Sequence, residues 1–178
     1  MASSVRTTLP GVKVPCVDRA CGTIVAMATI PAEVREFLAA GPLAHVVTMN
    51  REGDPHVNLC WAGLDGDELV FASFFDATRA ARIRHDPRVT VSFQAKEYDG
   101  SALYPYLVIK GRASVTDGDA LAVMDHLAQW YIEPGARYPA RDMPTGWTFR
   151  VAIDAIYGQG PWNERWVAMD KAGRDEPE

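Results

Sequence analysis

The fold is decided by residues 68–94, whose sequence is ELVFASFFDATRAARIRHDPRVTVSFQ. Strands are predicted at both ends of this stretch, over residues 68–75 and 88–96, because β-forming side chains dominate the first and strict alternation marks the second. Residues 76–85 between them are rich in alanine and arginine, which favours a short helix. Pro87 ends that helix, because the residue before a proline avoids the helical region.

The elements outside this stretch are marked by the same two periodicities. A period of two predicts four further strands, over residues 43–49, 55–64, 106–116 and 147–153. Helical spacing of apolar side chains predicts two further helices, over residues 31–40 and from the cap at residues 117–119 to residues 134–135. Within residues 55–64, we expect Val57 and Leu59 to share one face and Asn58 to point away from the main core.

The predicted strands follow one another through short turns, such as the one at residues 65–67, which favours an antiparallel sheet. Closure into a small barrel would remove the exposed edges of six such strands. We therefore expect a mainly β (α+β) fold, a six-stranded antiparallel barrel with short flanking helices and a bulge at Gly111. The domain is predicted over residues 27–166, between a flexible extension over residues 1–26 and a polar tail over residues 167–178.

Composition limits the classes of protein to which the chain can belong. The 178 residues are 48% hydrophobic and 23% charged, which indicates a folded globular domain and excludes a disordered chain or a fibre. A net charge of -5 without any run of lysine or arginine argues against a nucleic-acid partner. No apolar run reaches the roughly 18 residues of a membrane span. The 3 cysteines lack a CxxC pair, which favours a reducing cytoplasm over a disulfide framework.

The usual catalytic and metal-binding motifs do not occur. The 4 histidines show no HExxH or comparable ligand spacing, so we expect no metal site. There is no GxSxG elbow, no phosphate loop and no GxGxxG after a strand, which argues against a serine hydrolase, a P-loop enzyme and a Rossmann dehydrogenase. The sequence therefore points to no catalytic side chain.

A candidate anion site lies where the strand over residues 68–75 meets the central helix. The start of a helix offers unpaired backbone N–H groups and the positive end of the helix dipole. Thr78 adds a hydroxyl, and Arg79 and Arg82, three residues apart, place two guanidinium groups on one helix face. Together these groups can form a cradle for a phosphate. The alternative is an exposed helix whose arginines only solvate its outer face.

Three motifs resemble those of a known superfamily. They are TRAARIRHDPRV over residues 78–89, GRA over residues 111–113 and YGQGPW over residues 157–162. Together they are similar to the pyridoxamine 5'-phosphate oxidase-like split β-barrel superfamily, and the resemblance extends over residues 31–162. The DPRV ending and the Gly-x-Gly-Pro-Trp pattern look most like the branch of flavin and deazaflavin oxidoreductases that use coenzyme F420.

This resemblance implies a split β-barrel that forms a homodimer, with two cofactors in grooves between the subunits. The implied cofactor is coenzyme F420, with FMN as the alternative. Arg79 stands where the branch often has a phosphate-binding lysine or arginine, with Thr78 beside it, whereas many relatives carry asparagine in place of Arg82. The other cofactor contacts that it implies are hydrogen bonds from Asn58 and Ser73, a groove wall at Tyr106 and closure of the groove by Trp162 from the neighbouring subunit.

The implied function is a coenzyme F420-dependent reductase that transfers a hydride from reduced deazaflavin to a small unsaturated or aromatic acceptor. Hydride transfer is the cofactor's chemistry, so no protein nucleophile is required. The chain lacks the C-terminal arginine and histidine with which pyridoxamine-phosphate oxidases hold their substrate, which argues against vitamin B6 oxidation. Two alternatives stay open. One is an FMN-dependent oxidase or reductase on the same scaffold, and the other is a non-enzymatic module that binds a flavin, haem or tetrapyrrole.

Overall fold

The computed structural model describes residues 24–25, 30–97, 103–139 and 142–163. Within these ranges the chain forms eight strands and three helices. In chain order they are β1 (Ile24–Val25), α1 (Ala32–Ala39), β2 (Ala44–Met49), β3 (Pro55–Cys60), β4 (Gly63–Asp65), β5 (Glu68–Ser73), α2 (Ala77–His85), β6 (Arg88–Gln94), β7 (Tyr106–Asp117), α3 (Ala120–Tyr131) and β8 (Trp147–Gln159). None of the described helices combines the length and the hydropathy needed to cross a membrane.

The strands form one antiparallel sheet. Its hydrogen-bonded order is β3-β2-β6-β7-β8-β5-β4, and β1 pairs with β8. A mainly antiparallel fold with three short helices is therefore confirmed, but the predicted number of six strands is too low. Residues 55–64 form two strands instead of one, and β1 lies in the expected extension, the rest of which is outside the described residues, as is the tail. In the described chain β3 and β4 do not pair with each other, so the sheet is not closed as expected.

The break between β3 and β4 is caused by residues that are distant in sequence. The hydroxyl of Tyr131 accepts a hydrogen bond from the backbone N–H of Ala62 at 3.2 Å and lies 2.9 Å from the Ala62 carbonyl oxygen. These two backbone groups are therefore withdrawn from any strand ladder. Gly63 follows and packs against the ring of Trp130, where a Cβ atom would lie only 2.1 Å from the ring. The last turn of α3 thus fixes the point at which this segment bends.

The core lies on both sides of β5. On one side, Phe71 stacks on Phe149 of β8 with ring centroids 4.8 Å apart, inside the main core that α1 also covers. On the other side, Val70 packs with Leu127 of α3 in a second apolar cluster. Because both of its faces are buried, β5 has a continuous apolar sequence instead of an alternating one.

The side chains of β3 are oriented opposite to the prediction. Val57 and Leu59 are 55% and 56% exposed, whereas Cys60 packs against the main core. The antiparallel register places Asn58 opposite Val46 of β2, which is fully buried. Pairing with β2 therefore decides the orientation, so Asn58 lies on the core side of this edge strand and the apolar side chains point outward.

A bulge is present at the predicted position, but its extra residue is Asp154 of β8, opposite Lys110 and Gly111. The pairing of β7 with β8 shifts its register between Lys110 and Gly111. A Cβ atom at position 111 would lie 2.2 Å from the carbonyl oxygen of Ala152, so glycine is what allows β8 to come this close. Beyond the bulge β8 continues to Gln159, further than the predicted strand over residues 147–153.

Candidate functional site

Two side chains build the start of α2. Ser73 ends β5, and its hydroxyl oxygen accepts hydrogen bonds from the backbone N–H groups of Phe75 and Asp76 at 3.4 and 3.1 Å. Asp76 caps the helix, because its Oδ1 accepts the backbone N–H of Arg79 at 2.8 Å. These bonds turn the chain from strand to helix and place Arg79 in the first turn of α2.

Arg79 extends into the core instead of into solvent. The residue is only 5% exposed, and its guanidinium carbon lies 5.8 Å from the ring centroids of both Phe71 and Phe149. Its Nε lies 3.0 Å from Oδ2 of Asp76, within ion-pair distance, although the N–H is not aligned for a hydrogen bond. Its Nη1 is buried and has no hydrogen-bond partner among the residues that the structure describes. A buried donor without a hydrogen bond destabilises the folded protein by about 1–3 kcal/mol. A hydrogen bond from Nη1 to an anionic acceptor would remove this penalty.

Cys60 lies beside the guanidinium group of Arg79. Burial raises the pKa of the Cys60 thiol to about 11, and the neighbouring Arg79 guanidinium opposes this rise only in part. The thiol is therefore protonated at neutral pH, so it neither balances the charge of Arg79 nor acts as a nucleophile. Asp76 is the carboxylate that pairs with Arg79.

Two further polar atoms face the core near α2. Asn58 lies two residues before Cys60 on the same side of β3, and its Oδ1 is buried without a hydrogen bond to any described residue. Thr48 of β2, against which α2 packs, is fully buried, and its Oγ1 also has no partner in the described chain. Thr48 was not among the predicted site residues, although its position two residues after Val46 in an alternating strand indicates that it faces the core. The side of the core under α2 is thus unusually polar.

Thr78 and Arg82 are more accessible than Arg79. Thr78 is exposed and Arg82 is half-buried, so the two predicted guanidinium groups differ in their access to solvent. Among the residues that the structure describes, no carboxylate lies within ion-pair distance of Arg82. Four arginines and two aspartates lie between residues 76 and 88, so this region is locally positive in a chain of net charge -5.

Tyr106 and Trp162 lie at the other end of the sheet. Tyr106 pairs with Gln159 at the end of β8, whereas Ser73 pairs with Trp147 at its beginning. Eleven residues of β8 lie between these two pairs, so the pairs are separated by about 40 Å along the extended strand. Tyr106 therefore lies at the opposite end of β8 from the start of α2, and Trp162 follows that end.

Tyr106 and Trp162 differ in what surrounds them. Tyr106 is half-buried and lines a surface groove of about 360 Å³ together with His45 and Gln94. Trp162 is 7% exposed and contacts Phe37 of α1 edge to face, with ring centroids 4.8 Å apart. Of the predicted site residues, the structure thus groups Ser73, Thr78, Arg79 and Arg82 at the junction of β5 and α2, with Asn58 nearby on β3.

This junction has the groups that bind an anion. It offers guanidinium and hydroxyl donors at a helix start, and the nearby Cys60 thiol is protonated. In the described part of the chain, no group of three or more His, Cys, Asp or Glu side chains could hold a metal ion. The geometry therefore favours binding of a phosphate or carboxylate.

Comparison with protein families finds a match over most of the chain. The family model described as pyridoxamine 5'-phosphate oxidase matches residues 30–159. The chain belongs to this family. The match includes the start of α2 and the whole sheet from β2 to β8, and it confirms the superfamily resemblance over residues 31–159 of the predicted 31–162. The search of curated proteins found no match to this chain.

Solved structures share this pyridoxamine 5'-phosphate oxidase fold. An F420 reductase superposes with a TM-score of 0.57 at 24% identity, over 71% of this chain and 98% of the other. A conserved hypothetical protein from Mycobacterium tuberculosis superposes with a TM-score of 0.63 at 19% identity, over 81% of this chain and 89% of the other. HupZ from Group A Streptococcus superposes with a TM-score of 0.54 at 16% identity, over 73% of this chain and 94% of the other. At these identities the likeness shows the fold alone.

Proposed function

We propose that the protein is a coenzyme F420-dependent reductase, which binds the cofactor's phosphate at the start of α2 and delivers a hydride to a small unsaturated or aromatic acceptor. The observation that carries this proposal is the buried Nη1 of Arg79, which has no partner within the described protein. A phosphate oxygen is a strong acceptor for a guanidinium donor. One structural neighbour, an F420 reductase, agrees with this choice of cofactor.

The surroundings of Arg79 favour a phosphate over a neutral acceptor. Asp76 balances one positive charge, and Arg82 adds a second that has no carboxylate within reach in the described chain. The Ser73 oxygen accepts two N–H groups, which leaves its own hydrogen to donate. Thr78 adds an exposed hydroxyl in the first turn of α2, where the helix dipole also favours an anion. These groups form the phosphate cradle of the proposal.

The protein's part in the reaction is to hold the tricyclic ring and keep water away from it, because the bound deazaflavin supplies the hydride chemistry. Phe75 follows the end of β5 and is 77% exposed, so it offers apolar surface to a flat ring beside the cradle. Asn58, on the core side of β3, is assigned a hydrogen bond to the ring edge or to the ribityl tail. None of these roles requires a protein nucleophile.

A second copy of the chain completes the groove in this proposal. Within one chain, Tyr106 lies at the opposite end of β8 from the start of α2, so it reaches the cofactor only from a partner. Val57 and Leu59 expose apolar side chains on the edge strand β3, and stable dimers bury surface of this kind. Trp162 is packed against Phe37 of its own chain, so its closure of the groove stays a prediction.

An FMN-dependent oxidase or reductase is the second candidate. The family's name, which is that of an oxidase, favours it, and FMN, like F420, carries a phosphate on its ribityl chain. Titration of the protein with F420 and with FMN, followed by fluorescence quenching, separates the two. We expect F420 to bind at least tenfold more tightly, and the reverse order would favour FMN. Tight binding without oxidation of the reduced cofactor by any of a broad panel of acceptors would favour the non-enzymatic module.

Replacement of Arg79 by alanine tests the phosphate cradle. Loss of a hydrogen bond between a charged donor and the phosphate weakens F420 binding by about 1–3 kcal/mol. Binding of 8-hydroxy-5-deazariboflavin, which has the same ring system without the phosphate, should not change. Arg51→Ala serves as the control, because Arg51 is an exposed arginine in the turn between β2 and β3. Unchanged F420 affinity in Arg79→Ala rejects the assigned role.

A further inference from the structure

Asp76 contacts Arg79 through both of its carboxylate oxygens. Oδ1 accepts the backbone N–H of Arg79 at 2.8 Å, and Oδ2 lies 3.0 Å from Nε. The side chains of Asp76 and Arg79 are 23% and 6% exposed, so water screens this ion pair far less than it screens a surface pair. By comparison, the arginine of the Asp86–Arg88 pair at the other end of α2 is 72% exposed.

The contact between Nε and Asp76 determines which edge of the guanidinium group can face a ligand. A guanidinium is planar and presents its five N–H donors in fixed directions. Nε lies against Asp76, and the rings of Phe71 and Phe149 are both 5.8 Å from the guanidinium carbon, so neighbours on several sides restrict its rotation. Among the described residues neither Nε nor Nη1 has a hydrogen-bond partner, but Nε lies within ion-pair distance of Asp76 and Nη1 lies near no carboxylate.

From this arrangement we infer that Asp76 is a positioning residue, which holds the guanidinium of Arg79 so that Nη1 meets the phosphate of the cofactor. The inference rests on the proposed function and extends it to a residue that makes no contact with the phosphate itself. An arginine without this carboxylate would supply the same charge but no fixed direction. Asp76 therefore contributes to recognition of the phosphate through the orientation of Arg79.

The experiment compares two pairs of ligands that differ in the phosphate. The first pair, FMN with riboflavin, differs in the phosphate alone. The second pair, F420 with 8-hydroxy-5-deazariboflavin, differs in the phosphate together with the acidic chain attached to it. For each pair, the Kd of the phosphate-free ligand divided by the Kd of the phosphate-bearing ligand gives the phosphate preference, measured by fluorescence quenching on the full-length protein. A change that only weakens the fold raises both Kd values and leaves the phosphate preference unchanged.

Asp76→Asn is the main variant. The amide oxygen of asparagine can still cap α2, but the ion pair with Arg79 is lost. We expect the phosphate preference to fall at least fivefold, even though removal of a negative charge near a phosphate would by itself raise it. Asp76→Ser also keeps a capping oxygen without the charge, and it should give the same result if Asp76→Asn does not fold.

Two controls separate positioning from other effects. Asp86→Asn makes the same chemical change at the other end of α2, where Asp86 pairs with Arg88, and should leave the phosphate preference unchanged. In an Arg79→Ala background, Asp76→Asn should no longer lower the phosphate preference, because Asp76 acts through Arg79. A coupled pair of this kind shows as non-additivity in the double variant.

The outcomes distinguish the two proposals. If Arg79→Ala lowers the phosphate preference and Asp76→Asn leaves it unchanged, the positioning role is overturned while the phosphate site stands. A higher phosphate preference in Asp76→Asn than in the unaltered protein also overturns the positioning role, because Asp76 would then compete with the phosphate for Arg79. If Arg79→Ala itself has no effect, both the phosphate site and the positioning role are rejected.

Discussion

Burial determines the acidity of Cys60, although a charged residue lies next to it. Its thiol lies next to the guanidinium of Arg79, a neighbour that usually makes a cysteine more acidic. Burial outweighs this effect and raises the pKa of the thiol from 9.0 to about 11. Asp76 therefore balances the charge of Arg79, and in the proposal the phosphate of the cofactor does so as well.

The raised pKa of Cys60 predicts how stability depends on alkaline pH. A group whose pKa is raised by folding stabilises the protein fully below its unfolded value, here 9.0, and loses this contribution as pH rises towards about 11. Urea unfolding between pH 8 and pH 10.5 should show a steeper loss of stability in the unaltered protein than in Cys60→Ala, by up to about 1.4 kcal/mol per pH unit. Parallel curves for the two proteins would contradict the assigned burial.

The sequence predicts which residues belong to the candidate site, but it does not predict how deeply they are buried or which way they point. The TRAARIRHDPRV motif indicates Arg79, Thr78 and Arg82, and the structure does place them at the start of α2. The burial of Arg79 could not be predicted, because arginine is rarely buried and its cover comes from Phe71 and Phe149 on other strands. Asn58 was assigned to the wrong side of β3 for a similar reason, since pairing with β2 decides its orientation.

At the scale of secondary structure elements, close approach of backbones fixes the shape of the sheet. β7 and β8 are the longest strands of the described chain, and their register shifts at Gly111. The turn after β3 is fixed in a comparable way by Tyr131, which bonds the backbone of Ala62. The glycine that marks the bulge is visible in the sequence, but the partner of Ala62 is 69 residues away and no local pattern reveals it.

Gly111→Ala tests the close approach of β7 and β8. The added Cβ atom would lie 2.2 Å from the backbone oxygen of Ala152, which cannot move without displacing β8. We expect a loss of about 3 kcal/mol in the free energy of unfolding, at the upper end of overpacking effects. Gly118→Ala is the control, because no heavy atom lies within 4 Å of its Cβ position and only its left-handed backbone is strained. Equal losses in the two variants would show that close packing at the bulge is not needed.

At the scale of the whole molecule, the candidate site is divided between two ends of one sheet. The junction of β5 and α2 holds the donors for a phosphate, while Tyr106 lies at the far end of β8. The sequence predicted the antiparallel architecture, because hairpin turns and alternation are local signals. It did not predict the strand order or the open sheet, which depend on pairing between distant segments. The proposed homodimer is what brings the two ends together around one cofactor.

A crystal structure of the protein with F420 bound is the most direct test of the central claim, which is that Arg79 binds the cofactor's phosphate. The account predicts a phosphate oxygen within about 3 Å of Nη1, the hydrogen-bond distance for a charged donor. It also predicts that Tyr106 of a second copy lines the same groove. A phosphate bound elsewhere, with Nη1 still lacking an acceptor, would contradict the account.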